Sequence, residues 1–146
     1  MKYVILILFM LTVACSTNKE NLNCKSYRKG FYTYEGRHSE IVIYRENNHQ
    51  IEYDTVNDEW ILVKIFWTGS CKYTFTFIDT NMIDVKQHIG RTVDVKILSG
   101  NANGYHYHSI LKQGNEEFKG KIVMLNDEID ESTLVKIKSK LKELSN

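Results

Sequence analysis

Apolar and polar side chains alternate most regularly over residues 59–77, where the sequence is EWILVKIFWTGSCKYTFTF. A period of two, with many β-branched and aromatic side chains, is typical of β-strands. The pattern predicts two strands joined by a turn at 68–70, which pairs Ile65 with Tyr73 and gathers an all-apolar set on one face. We expect burial to select this register, because a slip of one residue would turn every side chain to the other face.

Shorter segments with the same period lie on both sides of this central hairpin. They predict six further strands, at 29–36, 40–45, 49–55, 92–98, 105–112 and 118–125. Residues 82–89 predict one or two helical turns ended by Gly90, and residues 99–104 predict a loop. A chain order made of hairpins indicates antiparallel pairing of the strands.

The period changes to that of a helix over residues 126–144. Its apolar stripe consists of Leu134, Ile137, Leu141 and Leu144. Acidic residues at its start and lysines further on complement the helix dipole, and we expect Asn126 or Asp127 to be the N-cap. The lysines predict a solvated face.

Together these elements predict an all-β domain with one C-terminal helix. We expect an antiparallel meander of about eight strands that forms a small barrel or a curled sheet, with the helix packed on it. The architecture is lipocalin-like by analogy, which by itself carries no function. The many Phe and Tyr residues predict a narrow or filled interior.

The hairpin around Asn47-Asn48 brings candidate ligand-binding residues together. Asparagine tolerates the positive φ that a two-residue turn requires. With such a turn, Arg45 lies opposite Gln50 and becomes a diagonal neighbour of Glu52 on one face of the hairpin. These three polar side chains form either a structural ion pair or a ligand-binding site.

The N-terminus contains a basic residue and then an apolar run that ends at a cysteine. Lys2 precedes an apolar run at 4–11, which is shorter than the roughly 20 residues that span a bilayer. The run ends with Ala14 directly before Cys15, and a small residue in that position resembles a lipobox. We therefore expect Cys15 to carry lipid, and Ser16 after it resembles the signal for an outer-membrane location.

This interpretation predicts the organisation of the whole chain. The predicted parts are a signal peptide at 1–14, a lipidated tether at 15–28, a β domain at 29–125 and a C-terminal helix at 126–146. The expected location is the bacterial cell envelope, at the outer membrane and facing the periplasm, with the lipid anchor as the contact to the membrane.

Charge and motifs exclude several classes of function. The chain has 19 Lys and Arg against 18 Asp and Glu, and removal of Lys2 with the leader leaves 18 against 18. A neutral balance disfavours a nucleic-acid partner, which requires a concentrated basic face. No glycine-rich phosphate loop, dinucleotide fingerprint or catalytic motif occurs in the sequence, so we expect neither a cofactor nor enzyme activity.

Cysteine and histidine suggest two further sites. If Cys15 is lipidated, Cys24 and Cys71 remain as an even pair in an oxidising compartment, and we expect them to form a disulfide; the alternative is two separate buried thiols. His106 and His108 share one side of a strand, so both can face one metal ion with a third ligand such as His49 or Glu52. The alternative is that the histidines form an exposed face.

Several of these residues also form a pattern along the chain. Its elements are Cys24, Gly30-Phe31-Tyr32, Arg45, Gln50-Ile51-Glu52, Trp67 and Cys71-Lys72-Tyr73. This order resembles a group of small uncharacterised bacterial lipoproteins with a cysteine, a G-x-F, an R…Q-x-E and a W…C-x-Y. Tyr32 stands where that pattern has phenylalanine, and the resemblance covers about residues 24–73. It implies a cell-envelope lipoprotein and no particular chemistry.

The sequence therefore predicts a non-enzymatic cell-envelope lipoprotein that binds a partner or a small apolar ligand. Two alternatives stay open. One is a protective inhibitor or immunity lipoprotein that blocks a cell-wall hydrolase. The other is a metal-binding protein that uses His106 and His108.

Overall fold

Eight antiparallel strands form a closed barrel in the computed structural model, which describes residues 22–37, 40–125 and 129–145. Each strand pairs with the next along the chain, and β8 pairs with β1. The strands are β1 (Gly30–Tyr34), β2 (Ile41–Glu46), β3 (His49–Asp54), β4 (Glu59–Gly69), β5 (Lys72–Thr80), β6 (Thr92–Asn101), β7 (Gly104–Leu111) and β8 (Glu116–Met124). Helix α1 (Glu131–Leu144) follows the barrel. The prediction of an all-β fold with one C-terminal helix is confirmed.

The β2–β3 hairpin has the predicted register. Asn47 and Asn48 both have positive φ, at 50° and 64°, and Arg45 pairs with Gln50. Arg45, Gln50 and Glu52 consequently point into the barrel, whereas the alternate residues of both strands point outward. The local chemistry of the turn was sufficient to fix this register.

The central β4–β5 hairpin differs from its predicted register by two residues. Trp67 pairs with Tyr73 and Ile65 with Phe75, and the ladder is irregular between Trp67 and Gly69. A shift of two keeps every side chain on the same face, so the apolar pattern could not distinguish the two registers. The turn itself contains Cys71, whose sulfur is bonded outside the hairpin.

Helix α1 packs on the outer faces of β2, β3 and β4. Ile137 and Leu141 are buried there against a second apolar cluster, which includes Val42, Tyr44, Ile51, Tyr53, Trp60 and Leu62. The helix begins later than predicted: Asp130 is its N-cap and accepts a hydrogen bond of 3.0 Å from the Thr133 amide. The expected caps at 126 and 127 lie outside the described residues.

The predicted solvated face of α1 has a second role. The ammonium groups of Lys136, Lys138 and Lys140 lie 5.3 to 5.6 Å from the ring centres of three aromatic side chains. Those rings belong to Tyr53, Phe31 and Trp60. The lysines thus cover the edge of the outer apolar cluster while their charges stay in water.

One end of the barrel, here called the closed end, is covered by a 3₁₀ helix at Cys24–Arg28. Cys24 and Tyr27 of this helix are buried, and the disulfide between Cys24 and Cys71 ties it to the β4–β5 turn. The predicted disulfide is present. The predicted tether extended through Arg28, whereas residues 24–28 are part of the folded domain, because the polar composition of the segment concealed its two inward-facing side chains.

The β6–β7 connection also lies at the closed end and is shorter than predicted. The two strands extend to Asn101 and from Gly104, so the expected loop at 99–104 is a tight turn. Gly104 has a φ of +141°, and a Cβ there would lie 2.1 Å from the Ile122 carbonyl oxygen. The glycine allows the turn to approach β8 this closely.

The opposite end of the barrel, here called the cavity end, has longer connections. A 3₁₀ helix at Ile83–His88 lies between β5 and β6, where the sequence predicted one or two helical turns. Gly90 follows it with a φ of +83°. The ring of His88 lies 5.8 Å from the ring of Phe77. Nothing at this end matches the buried helix of the closed end.

Candidate functional site

A buried arginine forms the floor of the barrel interior. Arg45 is 1% exposed. Its Nε donates to Gln50 Oε1 at 2.5 Å, its Nη1 to the Tyr27 carbonyl at 3.1 Å and its Nη2 to the Tyr73 hydroxyl at 2.9 Å. A buried charge requires such partners, because an unpaired one would be strongly unfavourable away from water.

Aromatic rings surround the same guanidinium. Its central carbon lies 5.3 Å from the ring centre of Tyr32, 5.1 Å from that of Tyr73 and 5.6 Å from that of Tyr105. Tyr27 packs on Tyr105 from the closed end. These rings add cation–π attraction and leave no route for water to Arg45 from that side.

Glu52 lies above this floor and faces the cavity end. Its Oε2 accepts a hydrogen bond of 2.9 Å from the Tyr34 hydroxyl, and its Oε1 accepts one of 2.7 Å from Gln50 Nε2. Gln50 thus connects Arg45 to Glu52. The predicted trio of Arg45, Gln50 and Glu52 is brought together, although the two charged groups meet through an amide and not directly.

The site changes the acidity of its members. Burial raises the pKa of Glu52, and the hydrogen bonds from Tyr34 and Gln50 and the charge of Arg45 oppose that rise only in part. Burial, together with the nearby Glu52, holds the pKa of Tyr34 well above its usual range and raises that of Tyr107 to about 12. Glu52 is therefore the group of this site that titrates nearest to neutral pH.

A cavity of about 180 Å³ lies above Glu52 inside the barrel. Its walls are Tyr34, Arg45, Gln50, Glu52, Tyr73, Phe75, Val95, Tyr107, Ser109, Phe118 and Ile122. Phe118 is 52% exposed, so the cavity opens to solvent beside it. The volume equals that of about six waters, at roughly 30 Å³ each. The interior is thus largely filled, as predicted, with one small and partly polar space.

Two hydroxyl groups in this cavity have no protein partner. The hydroxyls of Ser109 and Tyr107 make no hydrogen bond among the described residues, and both oxygens keep some solvent accessibility. Sequence reasoning missed both, and also Tyr34. The available signal was the alternation of β7, in which Tyr105, Tyr107 and Ser109 share the side opposite the two histidines.

The two histidines do not join this site. His106 and His108 lie on the outer face of β7, opposite Lys121 and Lys119 of β8, and His108 contacts Glu117 at 3.0 Å. Of the two proposed third ligands, Glu52 lies inside the barrel, so the barrel wall separates it from both rings, and His49 lies on β3, which does not pair with β7. Nor do any three His, Cys, Asp or Glu side chains of the described segments cluster closely enough to hold a metal ion.

The residues of the sequence pattern form one connected group. Cys24 is bonded to Cys71, the Trp67 and Tyr73 rings lie 4.8 Å apart, and Tyr73 contacts Arg45. The pattern thus marks the closed end and the floor of the barrel. The candidate lipidation site, Cys15, lies outside the described residues.

No protein-family model, curated protein or solved structure matches the chain. Neither the fold nor the interior site therefore inherits a function from a relative. Among the described helices, none is both long and apolar enough to cross a bilayer. The chemistry of the site is the remaining guide: it can bind a small molecule through a carboxylate, hydroxyls and aromatic rings.

Proposed function

We propose that this protein is a non-enzymatic lipoprotein of the bacterial cell envelope that binds a small ligand in the barrel cavity. Lipid on Cys15 holds it at the outer membrane, facing the periplasm. The leader pattern supports this location, and so does the disulfide between Cys24 and Cys71, since disulfides persist in oxidising compartments.

The observation that carries ligand binding is the pair of unpartnered hydroxyls in an otherwise satisfied interior. Buried polar groups are nearly always hydrogen-bonded, and Arg45, Gln50 and Glu52 all follow that rule. The hydroxyls of Ser109 and Tyr107 have no protein partner among the described residues; both line the same cavity, where their oxygens stay accessible to a ligand. A ligand that accepts or donates a hydrogen bond there completes the interior. Its size is limited, because the cavity lies below the range of about 300 to 1,000 Å³ typical of drug-sized ligands.

Ligand binding is tested by an NMR screen of small soluble molecules against the purified protein. The matched control is Ser109→Val, which fills part of the cavity and removes a free hydroxyl. We expect hits that shift resonances of the cavity residues in the wild type and that fail to bind the variant. A screen in which no molecule distinguishes the two proteins would contradict the proposal.

The anchor is tested separately in cells. Labelled palmitate should enter the wild-type protein and not the Cys15→Ser variant, which should leave the membrane fraction. Equal labelling of both proteins, or no labelling of either, would show that Cys15 is not lipidated.

A protective inhibitor of a cell-wall hydrolase is the second candidate. The part of the outer barrel surface that α1 leaves uncovered favours it. Phe66 and Leu98 are 69% and 50% exposed there, outside the area that α1 covers. Apolar side chains of this kind are suited to a protein partner. If resistance of cells to an added cell-wall hydrolase is lost in Phe66→Asp and kept in Ser109→Val, the inhibitor function is the correct one.

A further inference from the structure

The carboxylate of Glu52 lacks a directly bonded cation. Among the residues that the structure describes, its partners are the Tyr34 hydroxyl and the Gln50 amide, and it forms no ion pair. Arg45 cannot move to neutralise it without losing its bonds to the Tyr27 carbonyl and the Tyr73 hydroxyl. Each carboxylate oxygen therefore retains a free lone pair on the cavity side.

The remaining walls suit a positive charge of low hydration. Aromatic side chains on four different strands line the cavity, namely Tyr34, Tyr73, Phe75, Tyr107 and Phe118. The face of such a ring attracts a cation, and several rings around one cavity are the usual setting for binding organic ammonium groups. The free hydroxyls of Ser109 and Tyr107 supply acceptors for an N–H or O–H group of the same molecule.

An anion is a poor fit to the same space. Among the described residues that line the cavity, Arg45 is the one cationic group, and three of its five N–H groups are already bonded to protein acceptors. Glu52 would stand beside the anion and repel it. A neutral ligand would cover the carboxylate without supplying a counter-charge, which leaves it only the hydrogen bonds from Tyr34 and Gln50.

We propose that the cavity binds a small organic ammonium cation, with its charge against Glu52 and its alkyl groups against the aromatic walls. This inference rests on the proposed ligand-binding function and adds the chemical class of the ligand. A cavity of about 180 Å³ accepts a molecule no larger than about six waters, so the ligand is a simple amine or quaternary ammonium compound.

The decisive measurement compares choline with 3,3-dimethyl-1-butanol, its neutral isostere, in calorimetric or NMR titrations of the wild-type protein. The two molecules have the same shape and differ by one charge. We expect choline to bind at least about tenfold more tightly. Equal affinity for the two molecules, or no binding of choline, would overturn the inference.

The variant Glu52→Gln keeps the size of the side chain and removes its charge. It should reduce the affinity for choline at least about tenfold and leave that for the alcohol nearly unchanged. Glu117→Gln on the outer face of β8 is the matched control, and it should bind choline like the wild type. A loss of affinity in the control, or none in Glu52→Gln, would contradict the assignment to Glu52. If Glu52→Gln does not fold, the isostere comparison alone decides.

The pH dependence supplies an independent check, since choline keeps its charge at every pH. Its affinity should rise with pH through the pKa of Glu52, which burial raises. The charged and titratable groups that line the cavity with Glu52 are Arg45, Tyr34, Tyr73 and Tyr107. Burial acts to lower the pKa of Arg45, but the tyrosines around it outweigh this effect and raise that pKa, and burial raises the pKa of Tyr34 and Tyr107, so these three move away from the range of pH 4 to 8. The other walls there, from β4, β6 and β8, are Ile61, Val95 and Ile122. A flat profile would contradict the role of Glu52.

The results separate this inference from the function on which it rests. If the alcohol binds as tightly as choline and both are lost in Ser109→Val, the cavity binds ligands without selecting a cation. If the wild type binds neither molecule, the ammonium assignment is wrong, and the NMR screen of small molecules then tests the broader proposal of ligand binding.

Discussion

At the closed end of the barrel, a 3₁₀ helix, a disulfide and a buried arginine fill the space completely. At the cavity end, the same eight strands leave about 180 Å³ between Glu52, Ser109 and the exposed ring of Phe118. The strands themselves do not cause this difference, because each extends from one end to the other. It arises from what the chain adds: the closed end receives Cys24 and Tyr27 from a separate segment, whereas the described 3₁₀ helix at the cavity end, Ile83–His88, has no buried side chain.

The comparison shows how a small barrel divides stability from binding. Arg45 donates three hydrogen bonds at the closed end, to partners from the helix, β3 and β5. Glu52, one polar layer above, retains free acceptor positions and a raised pKa. A ligand site requires rigid support and polar groups with free hydrogen-bonding positions. The closed end supplies the rigid support, and Glu52 supplies the free positions.

The largest effect should follow from removing the disulfide at the closed end. In the chain-entropy account, a bond across a sequence separation of 47 stabilises by about 4 kcal/mol. The double variant Cys24→Ala, Cys71→Ala should lose up to that amount in urea unfolding of the purified protein. Reductant should destabilise the wild type similarly and leave the variant unchanged. A variant as stable as the wild type would show that the closed end holds without the bond.

Removal of the Arg45 side chain should have the second largest effect on stability. Arg45→Met leaves the Tyr27 carbonyl, Gln50 and Tyr73 without a partner, so we expect a loss of about 3 kcal/mol in the free energy of unfolding. The control is Lys96→Met on the outer face of β6, which should change stability by less than about 0.5 kcal/mol. Similar losses in the free energy of unfolding of both variants would contradict a particular role for the hydrogen bonds of Arg45.

The smallest effect is a change in pH dependence at the cavity end. Because the pKa of Glu52 is raised in the folded protein, that state holds the proton more tightly than the unfolded chain does. Stability from this group is therefore fully present below the ordinary pKa of glutamate, and it is lost as pH rises through the raised value. Glu52→Gln should remove this decline.

Other carboxyl groups require the variant to be compared with the wild type at each pH. Hydrogen bonds lower the pKa of Asp130 to about 2, and neighbouring groups lower that of Asp54, so these residues stabilise the fold at higher pH. The difference between Glu52→Gln and wild type in urea unfolding isolates Glu52. A difference that stays constant from pH 4 to 8 would contradict the raised pKa.

The sequence predicted those parts of the site that depend on local chemistry. The turn at Asn47-Asn48 needs two residues with positive φ, and this fixes the pairing of Arg45 with Gln50 and places Glu52 on the same face of the hairpin as Arg45. The pairing of Cys24 with Cys71 could be inferred by elimination among three cysteines. Neither prediction required knowledge of how the sheet closes.

The remaining walls of the cavity depend on closure of the barrel, and the sequence does not encode that locally. Tyr34 meets Ser109 and Tyr107 across the barrel, from strands far apart in sequence. The predicted register of the central hairpin was wrong by two residues for a related reason, because a shift by two residues leaves every apolar side chain on the same face. Tyr27 was missed because one inward aromatic residue in a polar segment has no periodic signal.

Closure of the barrel also limits how other molecules can associate with this domain. In an open sheet, the outermost strand offers unpaired amide and carbonyl groups on which a foreign strand can be templated, as in fibril growth. Here β1 and β8 pair with each other over Tyr32–Tyr34 and Ile122–Met124, which occupies that part of both edges. Addition of a foreign strand along this seam would first require β1 and β8 to separate, so a protein that associates there must recognise side chains or turns.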